Sequence, residues 1–307
     1  MSIVPLIVPL FGLAMLGWGI AKTGWPLSVG WQKGVNELTA RILVPMLLFT
    51  GMYQHGLPKQ HAWGILLSFY IALVGLFLLL FVLQRGSRDR ASIALAGSFS
   101  NLVYVGMPVV NNLFGSQGLA YLFPIVAFHS LVLFALYYSA DAWGRADQGP
   151  LRQSVFKSLK TPIVLSLMAG LGANLVHLPL PNILLDTLHM GARAALPCAL
   201  IVMGASLAGI SFQQVKWRML LILVAKLLLL PGLVLITSHF IFAMPILMTR
   251  VLVVMASCPV GINAYVVVRS NGGNAQTVSS AIVMSSWLSL LAWPFWLWVV
   301  QSLPLTH

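Results

Sequence analysis

The chain is poor in charge. Only 7% of its 307 residues are Asp, Glu, Lys or Arg, against 59% hydrophobic residues and a mean hydropathy of +0.94. Soluble domains carry roughly 25% charged residues, so composition excludes a water-soluble fold. Acids are scarcest: Glu37, Asp89, Asp141, Asp147 and Asp186 are the whole set. The two cysteines, Cys198 and Cys258, each adjoin a proline inside an apolar run. That pattern supports no disulfide framework, and both read as small packing residues. No His-x-x-x-His or Cys-x-x-Cys pair occurs, so neither metal nor cofactor is expected. No nucleophile–base pair can be assembled either, which argues against an enzyme. Alternating apolar and polar segments of about 10 residues are missing, and a transmembrane barrel is excluded with them. No basic residue precedes the first apolar run, so it is expected to be a retained span, not a signal peptide.

What is present is a series of apolar runs near 20 residues long, the mark of a polytopic helical membrane protein. Ten spans fit, near 4–21, 35–53, 62–84, 91–114, 117–139, 161–177, 183–209, 217–239, 247–270 and 275–300. The net charge of +12 invites a nucleic-acid reading, but the basic residues fill short gaps between runs and act as orientation signals. The gaps after spans 1, 3, 5, 7 and 9 hold Lys22, Lys33, Arg85, Arg88, Arg90, Arg145, Arg152, Lys157, Lys160, Lys216, Arg218 and Arg269, whereas the other side holds Lys59 and Arg250. The positive-inside rule then puts the basic loops in the cytoplasm and both termini outside, in the plasma (bacterial inner) membrane.

The chain repeats itself. Pro108 and Pro259 both begin Pro-Val-x-x-Asn, at an offset of 151. Ala40-Arg41-x-x-x-Pro45 answers Ala192-Arg193-x-x-x-Pro197 at 152, and Gly17-x-Gly19 answers Gly170-x-Gly172 at 153. Three matches at nearly one offset indicate a five-plus-five duplication. Five is odd, so the second copy enters from the opposite side and the repeat is inverted. The expected fold is therefore an all-α polytopic membrane protein of two inverted five-helix repeats. The first covers residues 1–140, a cytoplasmic loop covers 141–160, and the second covers 161–307.

Spans 4 and 9 carry Gly and Pro in mid-run and are expected to break near Pro108 and Pro259. Each second half-helix would begin near the bilayer centre with free N–H groups and about half a positive charge. An anion, above all a carboxylate, suits such a place. Asn112 and Asn263 follow their prolines by one turn, and Asn101 closes the first half-helix, so Asn101, Pro108, Asn112, Pro259 and Asn263 are the candidate substrate contacts. Asn111 faces about 100° from Asn112 and reads as structural. Arg41, Arg193 and Lys226 are charges inside spans, which are costly and usually functional or paired. Arg41 lies close enough to the span end to snorkel. Arg193 could pair with Asp186 or with freed carbonyls. Lys226 could carry a proton, stand in for a bound cation, or tie span 8 to neighbouring carbonyls. His129 could titrate or simply pack. None of the five acids lies near either break, which favours an anion as the transported species.

Ala256-Ser-Cys-Pro259-Val-Gly-Ile-Asn263-Ala-Tyr265, Gly272-Gly273-Asn274-Ala and the Ser285/Ser286 to Pro294 segment resemble the C-terminal signature of the auxin efflux carrier family. Asn101…Gly106-x-Pro108 and Asn36…Pro45…Phe49 are similar to its N-terminal half. The resemblance implies ten helices in a fold shared with bile-acid symporters, with spans 1, 2, 6 and 7 as scaffold. Spans 3–5 and 8–10 would form a mobile transport domain around crossing helices 4 and 9, working by an elevator-type movement. It further implies a secondary transporter of a small organic carboxylate, malonate- or malate-like or aromatic, and a possible homodimer. Two departures stand out: Gly273-Asn274 replaces a common Gly-Gly-Asp, and Asn101-Leu102-Val103 replaces a common Asn-Thr-Gly. The rival readings are a cation-coupled bile-acid-type carrier, which should show more acidic ligands, and a passive anion channel, for which spans 3, 8 and 10 are too apolar.

Overall fold

The computed structural model describes residues 4–23, 30–56, 62–142, 162–208 and 217–302. The expected loop at 141–160 lies outside the described residues from 143 onward, as do Lys59 and Lys216. Among the described residues the regular structure is helical. In chain order the helices are α1 (Val4–Thr23), α2 (Trp31–Leu38), α3 (Val44–His55), α4 (Ala62–Leu83), α5 (Arg90–Ser98) and α6 (Met107–Ala142). They continue with α7 (Pro162–Leu175), α8 (Asn182–Ala208), α9 (Trp217–Val224), α10 (Leu230–Leu235), α11 (Ile246–Ala256), α12 (Ile262–Ser270) and α13 (Ala275–Gln301).

Among the described residues six helical stretches are long and apolar enough to cross a membrane: 31–54, 63–83, 102–141, 182–206, 217–241 and 275–301. The long stretch 102–141 is two helices joined at Gly115, whose φ of 62° and ψ of −156° no helix accommodates. A left-handed φ of that size is open to glycine at little cost. The interruption falls where spans 4 and 5 are expected to part. α4 turns Leu67, Ile71, Leu78, Leu79 and Leu83 outward. A soluble protein would bury such a row; in hydrocarbon it is the ordinary outer surface.

Prolines inside the spans do not simply break them. Turns of π-helix run over Thr39–Leu43, Leu102–Gly106 and Ala225–Leu229, and each ends two residues before a proline: Pro45, Pro108 and Pro231. A proline ring clashes with the carbonyl one turn back and leaves it without a donor. Widening that turn relieves the clash while the helix goes on.

The chain forms two compact units. The first comprises residues 1–60, 103–127 and 160–211. Within it α8 packs along α1 and against α3, and α3 also packs on α7. Glycines set the closest of these approaches: Gly17 meets the backbone of Ile201, Gly204 that of Ala14, and Gly170 that of Phe49, while Gly19 and Gly172 face open space. The second unit comprises residues 61–102, 128–159 and 212–307. Here α4 covers α5, α10 packs on α11, and α13 lies against α9 and α12. α13 buries Ser279, Ser285, Ser286 and Ser289, each hydroxyl donating to a carbonyl three or four residues back in its own helix. Hydroxyls satisfied in this way can line an apolar core.

Candidate functional site

Two interrupted helices meet in the second unit. α5 ends at Ser98, and the next residue, Phe99, is extended at φ −81° and ψ 108°. α11 ends at Ala256, and Gly261, extended at φ −77° and ψ 140°, leads into α12. The extended pieces run antiparallel with Ser100 opposite Val260. Asn101 N donates to the Pro259 carbonyl at 2.9 Å, and Gly261 N donates to the Phe99 carbonyl at 3.0 Å. These two bonds interchange when each residue is replaced by the one 160 positions along, as Ser100 is by Val260, so the crossing is locally two-fold. Hydrocarbon offers broken backbone no hydrogen bonds. Each break supplies the other's.

The remaining N–H groups of the pair are satisfied by side chains. Ser100 N donates to His129 Nε2 and Val260 N donates to Ser285 Oγ, both at 3.0 Å. Accepting at Nε2 assigns the His129 proton to Nδ1. The ring is 3% exposed and lies edge-on to Phe99 with centroids 4.8 Å apart, so His129 holds the crossing together. Gly261 allows the close approach: a Cβ there would sit 2.6 Å from the Phe99 ring and 3.3 Å from the Ser100 carbonyl.

Lys226 supports the same place from the π turn of span 8. It is fully buried, and its Nζ donates to the carbonyl of Ala256, the last residue of α11. A cation at a helix C-terminus meets the negative end of the dipole and occupies a carbonyl the break has freed. The Trp296 indole similarly donates to the Leu227 carbonyl at 2.8 Å, a backbone group of that turn. Lys226→Met leaves the Ala256 carbonyl buried without its donor, at a cost of about 1–3 kcal/mol. A lower melting temperature of the purified protein is the expected result. An unchanged one would mean that the contact does not hold α11.

The candidate substrate contacts divide between the units. Asn101 and Pro259 form the crossing itself, and Asn101, 5% exposed, makes no side-chain hydrogen bond among the described residues. Asn263 is the second residue of α12 and is exposed, and the residue before the helix, Gly261, gives no side-chain cap to its first N–H groups. Pro108 and Asn112 belong to the first unit. The first break spans Phe99–Asn101 and not Pro108, because the ring of Pro108 needs only the π turn over Leu102–Gly106. Asn112, exposed on α6, thus lies about 15 Å along the helix that restarts at Leu102, not in its first turn. Arg193, exposed on α8, is not paired with Asp186 and lines a cavity in the first unit with Asn111. Sequence reasoning passed over Ser285 as a ligand of the crossing and set Asn111 aside.

Asn274 is one of the two departures from the resembled pattern, in which Asp is common, and its surroundings suit the amide. Its Oδ1 accepts from Thr277 N at 3.1 Å, capping α13, while its Nδ2 donates to Asp89 Oδ2 at 3.4 Å. Arg218 Nη1 meets that same oxygen at 3.3 Å. A carboxylate at 274 would face the carboxylate of Asp89.

The family model described as "Membrane transport protein" matches residues 2–141 and 150–297. A protein of Rhizobium meliloti (strain 1021) named "Putative malonate transporter" is 24% identical over 315 residues, covering 98% of this chain and 97% of its own. An "Uncharacterized transporter" of Methanothermobacter thermautotrophicus (strain Delta H) is 27% identical over 301 residues, covering 92% and 94%.

Proposed function

The chain belongs to the membrane transport protein family that includes the auxin efflux carriers, and from that premise we propose that this integral membrane transporter carries a small organic carboxylate. The observation that carries the reading is the antiparallel crossing of Phe99–Asn101 with Pro259–Gly261, next to the uncapped start of α12. Positive dipole ends and amide donors gather there, and the described residues of the crossing include no acid. Asn101, Pro259 and Asn263 contact the carboxylate from within the second unit. His129 and Lys226 brace the crossing. The relative named as a malonate transporter supports a dicarboxylate of that size. The carrier works as two inverted repeats of five spans, with spans 1, 2, 6 and 7 stationary, spans 3–5 and 8–10 moving, and a homodimer of the stationary parts in a bacterial inner membrane.

A thermal-shift screen of mono- and dicarboxylates on purified protein, with and without sodium, tests the reading. A bound carboxylate at 100 times its Kd stabilises by about 2.7 kcal/mol. Malonate-sized dicarboxylates are expected to raise the melting temperature whether or not sodium is present. Stabilisation by sodium alone, with no carboxylate effect, would favour the cation-coupled carrier. Orientation is checked separately. Cysteines placed at Ser116 or Asn182 are expected to react with an impermeant thiol reagent from outside intact cells, and one at Ser87 is not. External labelling at Ser87 would reverse the topology.

A further inference from the structure

The first unit holds a cavity of about 320 Å³ that the crossing does not explain. Its polar wall includes Thr50 and Gln54 from α3, Asn111 and Ser116 from 103–127, and His189 and Arg193 from α8, the Thr50 hydroxyl donating to carbonyls of its own helix. Gln54 Nε2 and His189 Nε2 lie 2.9 Å apart and fix each other across α3 and α8. Gly51 and Phe123 lie together at the apolar wall, where a Cβ on Gly51 would overlap the Phe123 ring. Among the described residues no acid lines the cavity.

Arg193 is what makes this space unusual. It is the twelfth residue of α8, about 16 Å along a helix long and apolar enough to cross a hydrocarbon core about 30 Å thick. Arginine stays charged under any accessible condition. A charge within a membrane span is expensive unless something answers it. Yet Arg193 makes no ion pair or hydrogen bond among the described residues, and Asp186, two turns earlier on α8, does not reach it. A planar guanidinium with an unused donor fork is shaped for two-point binding of a carboxylate. The cavity sits at the small end of the roughly 300–1,000 Å³ typical of ligand sites, which suits a small anion and not a bulky aromatic one.

We propose that this cavity is an anion site of its own, in which Arg193 binds a carboxylate with Asn111, Ser116 and the Gln54–His189 pair as supporting polar contacts. The inference rests on the reading of the protein as a carrier of small organic carboxylates and adds to it a second place of recognition in the first unit.

The test uses the full-length protein in lipid nanodiscs with Ser116→Cys. A negatively charged thiol reagent is applied, and its reaction at the introduced thiol is followed by mass spectrometry, with malonate as the probe. Malonate is expected to slow labelling at least five-fold. Arg193→Gln in the same background is expected to remove the protection. Arg193→Lys, which keeps the charge but loses the fork, is expected to need roughly ten times more malonate and serves where the glutamine variant is not monodisperse. Asn263→Ala is expected to leave protection intact. Protection that disappears with Asn263→Ala, or survives Arg193→Gln, overturns the proposal while the crossing remains a candidate. Absence of protection at malonate concentrations that raise the melting temperature does the same. Equal protection by inorganic phosphate would make this a general anion site and overturn the carboxylate assignment. If instead protection holds while Asn263→Ala leaves the malonate-induced rise in melting temperature unchanged, the reading of the crossing fails and this site stands.

Discussion

Gly204→Val is expected to abolish folded protein. Gly204 on α8 rests directly on the backbone of α1, where an added Cβ would overlap the carbonyl of Ala14. Gly17 on α1 makes the reciprocal contact with the carbonyl of Ile201 on α8. Small residues let membrane helices approach this closely, and dispersion between the two backbones then replaces the hydrophobic drive that lipid does not supply. A side chain in the way could swing to another rotamer, but a helical carbonyl cannot. The two helices must separate along the contact, and overpacking of even modest cores costs about 1–3 kcal/mol. Gly204→Ala is expected to reduce the monodisperse fraction in size-exclusion chromatography, and Gly204→Val to remove it. Gly19→Ala is the control, since nothing lies within 4 Å of its Cβ position. There the substitution should be neutral or gain the roughly 0.8–1.0 kcal/mol of alanine's helix propensity. Equal behaviour of Gly204→Val and Gly19→Ala would mean that α1 and α8 do not meet through these glycines.

The sequence motif Gly17-x-Gly19 therefore contained half of the answer. Spacing marks both glycines as small, but only the partner helix decides which of them is used. Span ends were readable for a simpler reason: the apolar runs expected at 62–84 and 275–300 are bounded by composition, and the helices run over Ala62–Leu83 and Ala275–Gln301. The second break was readable because Pro259 and Gly261 both fall within it. The first was misplaced at Pro108. A proline announces a local clash, and here a π turn absorbs it, as it does before Pro45 and Pro231. Where span 4 actually opens is fixed by pairing with Pro259–Gly261, a contact some 160 residues away that no local pattern encodes. The same distance hid the partners of the crossing. His129 was visible as a histidine in an apolar run, but nothing nearby announced that its Nε2 accepts from Ser100 or that Ser285 plays the matching part for Val260. Asn111 was set aside by its angle to Asn112. Its place on a cavity wall depends on how α3 and α8 pack in the first unit.

Asn263 carries the central claim, a carboxylate held at the crossing. It is the second residue of α12, exposed, beside N–H groups that no side chain caps. An amide there donates to an anion, and a hydrogen bond to a charged group is worth about 1.5–3 kcal/mol. Removing it should weaken substrate binding roughly 10- to 100-fold. Aspartate occupies the same volume as asparagine but offers only acceptors and a negative charge, so it should repel the carboxylate that the amide attracts. A bound cation would reverse that order, because aspartate would keep the oxygen ligand and strengthen the field. The deciding measurement is the equilibrium binding of radiolabelled malonate to wild-type protein, Asn263→Ala and Asn263→Asp, each shown to be monodisperse. The account predicts affinities falling in that order, with the aspartate variant weakest; tighter binding by Asn263→Asp than by Asn263→Ala would contradict it.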